Sequence, residues 1–194
     1  LRRMYLMPDE KSSTNSILFH KYGIVYYSLS FEVFSESVKS VEKLMGYAKM
    51  TVSGVDSSIY FASEGNLTIT DSTLNGATGL AIKGGTVAIS NSTINGTGAY
   101  PATEPTVAEG SGFTATGAAL FVECNYSDGS THANGITVTV TGSTLTSANG
   151  YAVDMRFAGT LDSTVSVTGG TLTGAKGASY ADSSCEGKLT VTAE

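Results

Sequence analysis

One six-residue phrase recurs four times and constrains this chain more than any other feature. It reads Ile69-Thr-Asp-Ser-Thr-Leu74, Ile89-Ser-Asn-Ser-Thr-Ile94, Val140-Thr-Gly-Ser-Thr-Leu145 and Val167-Thr-Gly-Gly-Thr-Leu172. Each begins and ends on an aliphatic residue. Between them stand Thr or Ser, then Asp, Asn or Gly, then Ser or Gly, then Thr. Two aliphatic anchors around a tight corner make a strand–corner–strand. Such a unit cannot bury its apolar side alone, so its repetition implies stacked coils, a solenoid.

From Met50 onward the rest of the chain fits that scheme. Val52, Ile59 and Phe61 form an irregular first coil. The second has Leu67 and Ile69, then Leu74, then Leu80 and Ile82 pointing inward. The third repeats it with Val87, Ile89, Ile94, Leu120 and Val122. The fourth has Val138, Val140, Leu145, Tyr151 and Val153, the fifth Val165, Val167, Leu172, Ala178 and Tyr180. Leu189 and Val191 begin another. Period two within each strand leaves Thr and Ser outside. Thr68 and Thr70, Ala88 and Ser90, Thr139 and Thr141, Ser166 and Thr168, and Thr190 and Thr192 form an outward column. Val140, Leu145, Val167 and Leu172 are expected to be buried in adjacent layers.

Spacing locates the loops. Leu74 and Leu80 are six residues apart, as are Leu145 and Tyr151, whereas Ile94 and Leu120 are separated by 26. The extra residues contain Tyr100-Pro-Ala-Thr-Glu-Pro105 and Gly110-Ser-Gly112, a composition unsuited to a strand. Between the third strand and the next coil, five residues suffice from Ile82 to Val87, but 16 and 12 are used farther along. Loops gathered on one side of a solenoid often make its binding face.

Residues 1–49 do not follow the repeat. Ile17-Leu-Phe19 and Ile24-Val-Tyr-Tyr27 flank His20-Lys-Tyr-Gly23 and read as a hairpin. Phe34, Val38, Val41, Met45 and Ala48 recur at helical spacing, with Ser35 or Ser37 placed to cap an amphipathic helix. Two readings of this hairpin-plus-helix stand: a cap over the first coil, or an unrelated upstream segment. The chain thus divides into 1–49 and a repeat domain over 50–194. Both ends are expected to be cuts through a longer protein.

The recurring phrase and its spacings, over about residues 50–194, resemble the right-handed parallel β-helix of the pectate-lyase-like superfold. They are similar, more narrowly, to the Thr/Gly-rich repeats of bacterial cell-surface, adhesin-like proteins. The resemblance implies an all-β, right-handed parallel β-helix solenoid. It does not choose an activity, because the superfold carries lyases, hydrolases, adhesins and inert stalks.

Composition narrows the field. Charged residues are only 14% and Gly numbers 23, as a β chain with many corners requires. A net charge of −6 offers phosphates no basic groove, so no nucleic-acid partner is expected. No apolar run of about 20 residues is present, so no membrane span is expected. No signal peptide is visible in this stretch, since Met4-Tyr-Leu-Met7 is too short an apolar core. Cys124 and Cys185 each follow the third strand of a coil, two coils apart. At roughly 4.8 Å per coil their backbones are expected about 10 Å apart, beyond disulfide reach unless the loops bend. They read as free thiols.

Catalysis by this fold needs clustered carboxylates, with Ca²⁺ and a base for a lyase or as a spaced pair for a glycosidase. Asp71, Asp154, Asp162 and Asp182 lie on different coils. Glu123 and Asp154 fall near equivalent positions of successive coils, where solvated charges are the ordinary reading. His132 has no partner at ligand spacing, so neither metal nor cofactor is expected. Glu123, Asn125, Tyr126, Asp128, Asp154, Arg156 and Phe157 instead combine flat apolar faces with amides and charges, the chemistry of sugar binding. The expectation is a non-catalytic, secreted or cell-surface segment whose loops display a face for glycans or another host or cell-surface ligand. A polysaccharide-active lyase or glycosidase is the alternative. A structural stalk, or a Thr ladder that binds ice, is a further one.

Overall fold

A computed structural model of the chain describes residues 5–8, 15–18, 28–31, 50–62, 65–106, 115–124 and 135–193. The expected helix over about 35–48 lies outside the described residues. Sixteen strands are described, all but the first three in the repeat region. These three are β1 (Tyr5–Pro8), β2 (Asn15–Leu18) and β3 (Ser28–Phe31). They are followed by β4 (Met50–Ser53), β5 (Ser57–Phe61), β6 (Asn66–Thr70), β7 (Thr73–Gly76) and β8 (Thr78–Ile82). Then come β9 (Thr86–Ser90), β10 (Thr93–Gly96), β11 (Leu120–Glu123), β12 (Thr137–Ser147) and β13 (Tyr151–Arg156). β14 (Thr164–Gly174), β15 (Gly177–Ala181) and β16 (Leu189–Thr192) complete the set.

From β4 onward every pairing is parallel and skips through the sequence by one coil. Three ladders result. The first runs β6–β9–β12–β14–β16, the second β4–β7–β10–β12–β14, and the third β5–β8–β11–β13–β15. β12 and β14 belong to two ladders because each continues around the first corner. The Thr column expected on the first ladder is in register: Thr68 with Ala88, Ala88 with Thr139, Thr139 with Ser166, and Ser166 with Thr190.

The corner explains the recurring phrase. Its third residue has a left-handed backbone in all four copies: Asp71 (φ 49°), Asn91 (φ 49°), Gly142 (φ 57°) and Gly169 (φ 62°). Gly adopts that conformation freely, and Asn and Asp are the side chains most tolerant of it. Its fourth residue turns inward. Ser72, Ser92 and Ser143 are buried, and they bond from coil to coil. The Ser72 amide donates to Ser92 Oγ (3.1 Å), and the Ser92 amide to Ser143 Oγ (3.1 Å). Each hydroxyl donates back to the carbonyl two residues earlier, Thr70, Ser90 or Thr141. Backbone groups that the bend removes from the ladder thus find partners inside an otherwise apolar core.

That core is the stack of aliphatic anchors. Leu74, Ile94 and Leu145 are aligned and essentially inaccessible, as are Ile69, Ile89, Val140 and Val167. Full burial of each such side chain contributes about 1.5–3 kcal/mol. Of the four residues expected in adjacent layers, Val140, Leu145 and Val167 are buried, whereas Leu172 is half-buried beside the last described coil.

Two expectations need correction. The third-strand register differs from the one inferred from spacing. Leu120 aligns with Leu80 and Val153, and Val153 with Ser179. Tyr151 and Ala178, expected beneath Leu80 and Leu120, are not in that column. Tyr180 aligns with Asp154 and therefore points outward. The corner before this strand lengthens by one or two residues in the fourth and fifth coils, and a one-residue slip reverses faces. In the N-terminal segment, β2 pairs antiparallel with β3, Asn15 opposite Phe31, a strand at 28–31 that was not expected, and the expected turn 20–23 and strand 24–27 lie outside the described residues. β3 pairs antiparallel with β4, so β1–β3 extend the second ladder's edge as strands.

Candidate functional site

The outer face of the third ladder is where the candidate residues meet. Outward positions of a solenoid strand are ordinarily wet, yet here Ala81, Phe121, Lys83, Glu123 and Asp154 are wholly buried and Arg156 nearly so. From the chain between β10 and β11, Tyr100 and Glu104 reach Arg156, Tyr151 and Lys176 of the fourth and fifth coils. That chain leaves at Gly98 and returns at Gly117, whose backbones touch. A Cβ on Gly117 would stand 2.2 Å from the Gly98 carbonyl oxygen, and Gly117 has φ +66°. Only glycine fits such a neck.

Arg156 fastens the insertion to the sheet. Its Nε donates to Asp154 Oδ1 (2.7 Å), one terminal nitrogen to Glu104 Oε2 (3.2 Å) and the other to the Tyr100 hydroxyl (2.8 Å). Its guanidinium also lies 4.4 Å from the centre of the Tyr180 ring. Tyr180 stacks on Tyr151 at 4.9 Å, Tyr151 meets Tyr100 edge-on at 5.9 Å, and Lys176 Nζ stands 4.1 Å over Tyr100. All three tyrosines are half-buried, while Glu104 and Lys176 are exposed. A patch of aromatic surface with charged rims therefore reaches solvent.

Burial pushes the Asp154 carboxyl up from its usual 3.8 to about 6, against the hydrogen bond and charge of Arg156, which hold it down. Burial would lower Arg156, but Asp154 outweighs it and raises the guanidinium above its usual range. Asp154 Oδ2 and Thr116 Oγ1 are both buried without a close hydrogen-bond partner. The Thr116 hydroxyl nonetheless favours the carboxylate, opposing the effect of burial. Burial likewise raises Tyr100, with Arg156 opposing.

Glu123 is not level with Asp154, as the spacing had suggested. It aligns with Arg156, while Asp154 aligns with Phe121 and Tyr180. Glu123 lies 3.5 Å from Lys83, both side chains inaccessible. The expected solvated acid column is thus a set of buried, paired charges. Phe157 sits at φ 62°, a costly conformation for its type, and its amide donates to Asp182 Oδ2 (2.8 Å). Asn125, Tyr126 and Asp128 lie outside the described residues. Sequence reasoning missed Lys83, Glu104, Tyr100, Tyr151, Tyr180 and Lys176 as members of this face. Only a correct register for β13 and β15 turns Tyr180 outward.

Among the described residues no three His, Cys, Asp or Glu side chains group as a metal site, and no helix is long and apolar enough to cross a membrane. Comparison with protein-family models, curated proteins and solved structures finds no match.

Proposed function

We propose that this chain is a segment of a right-handed parallel β-helix from a secreted or cell-surface protein, bacterial by its resemblance, that binds glycans without altering them. The half-buried rings of Tyr151 and Tyr180, stacked across successive coils beside Tyr100, carry this reading. Sugar rings present flat apolar faces edged with hydroxyls. Aromatic surface flanked by a carboxylate such as Glu104 and an ammonium such as Lys176 complements both parts. The ladder beneath fixes the rings in place, so little conformational freedom is lost on binding.

The polysaccharide-active alternative draws less support. Retaining and inverting glycosidases need two carboxyls that reach substrate across roughly 5–10 Å. Glu123 and Asp154 are instead engaged by Lys83 and Arg156 inside the protein. A glycan array probed with the parent chain, Tyr151→Ala and Tyr180→Ala tests the proposal. Binding by the parent and a tenfold or greater loss in both variants is the expected result. Undiminished binding by the variants would move the site elsewhere, and no binding by the parent would favour a plain stalk.

A further inference from the structure

Cys124 and Cys185 do not stand apart as their positions on different coils suggest. Cys124 follows β11, and its amide donates to the Arg156 carbonyl (2.9 Å), which holds it one strand from the fourth coil. Beyond β15 the chain turns back in a short 3-10 turn, Ser183–Cys185. Asp182 caps that turn by accepting from the Ser184 amide (2.9 Å). It also accepts from the Phe157 amide, and the Cys185 amide donates to its carbonyl (2.8 Å). Two coils would separate the cysteines by about 10 Å if both loops ran straight. The turn carries Cys185 back toward the 156–157 end of the fourth coil, which Cys124 also borders. Both side chains are inaccessible, and both belong to the same buried cluster as Ala158 and Met155.

We propose that Cys124 and Cys185 are a redox-active pair that closes to an intramolecular disulfide, tying the third coil to the turn after the fifth. Their surroundings assign unequal roles. Cys185 and burial both raise Cys124, whereas Cys124 lowers Cys185 against the effect of burial, so Cys185 is the thiol that ionises first. A thiolate is the attacking species in exchange. With glutathione disulfide as oxidant, Cys185 attacks one of its sulfurs and releases one glutathione thiol. Cys124, deprotonated, then attacks Cys185 Sγ in the mixed disulfide and releases the second. The two protein thiols are oxidised by two electrons, the glutathione disulfide is reduced by two, and both protons leave on the glutathione thiols. Because the thiols are enclosed, exchange requires the 182–188 segment to open.

The test uses the full chain, folded, equilibrated with graded mixtures of reduced and oxidised glutathione, then alkylated and weighed intact. The expected species has lost two hydrogens, carries no adduct and is monomeric. Its thermal midpoint should exceed that of the reduced chain by roughly 5–10 °C, as closure of a long loop implies. Cys124→Ser and Cys185→Ser should each lack that redox dependence. A stable glutathione adduct, a cross-linked dimer, or two unreacted thiols at a poise that oxidises the urea-unfolded chain would each overturn the proposal. Those outcomes are read on the parent chain, so they decide the matter even if a variant fails to fold.

Discussion

At the residue scale, the inward serines are part of the fold. Ser143 supplies the acceptor for the Ser92 amide at a corner where no strand is available. Ser143→Ala leaves that buried N–H unpaired and should cost about 1–3 kcal/mol in chemical denaturation. Asp154 yields a prediction of opposite character. Its carboxyl titrates near 6 in the folded chain and near 4 when unfolded, so between these values the native state holds a proton that the unfolded state has lost. Its contribution is therefore fully present below about pH 4 and declines as pH rises through 6. Asp182 shifts the other way: its hydrogen bonds outweigh its burial and lower its carboxyl. Comparing the parent with Asp154→Asn cancels that term. The stability of the parent relative to the variant should fall by roughly 2–3 kcal/mol from pH 4 to pH 7, and a flat difference would refute the assignment. The left-handed corners were legible in the sequence as Asp, Asn or Gly at one position, because few residues tolerate that backbone. The burial of Glu123 and Asp154 was not, because it depends on what lies over the sheet.

At the element scale, strands and their order followed from the spacing of aliphatic anchors, whereas the register of β13 and β15 did not. Six residues separate Leu74 from Leu80, and assuming the same corner throughout put Tyr151 and Ala178 where Val153 and Ser179 stand. Both choices place apolar or small residues inside, so hydrophobicity alone could not decide between them. The insertion after β10 was equally plain as a break in spacing, but its landing place was invisible until Arg156 could be seen binding Tyr100 and Glu104. Its neck gives a test. Because Gly98 and Gly117 touch, residues 99–116 can be replaced by a one- or two-residue linker without stretching the coil. The shortened chain should keep its β circular dichroism but unfold at lower temperature, since Arg156 would lose Tyr100 and Glu104 as partners. It should also lose any glycan binding shown by the parent. Retention of full binding would place the ligand away from this ladder.

At the scale of the whole molecule, the repeat makes stability nearly one-dimensional. Each coil touches chiefly the coil before and the coil after, so the energy is a sum of nearest-neighbour interfaces. The fourth coil lies inside the described stack, and its Leu145 is wholly buried between Ile94 and Leu172. Leu145→Asp places an unpaired charge there and should cost several kcal/mol. In a globular core such damage would spread evenly, but here it should divide the molecule. The fifth coil and β16 keep contact with only one side once the fourth is disrupted, whereas β6–β10 retain each other. Amide hydrogen exchange followed by mass spectrometry should therefore show 164–181 losing protection first and most, with 66–82 changed little. Uniform loss across both segments would mean that the coils fold as one cooperative unit, and the nearest-neighbour description would fail.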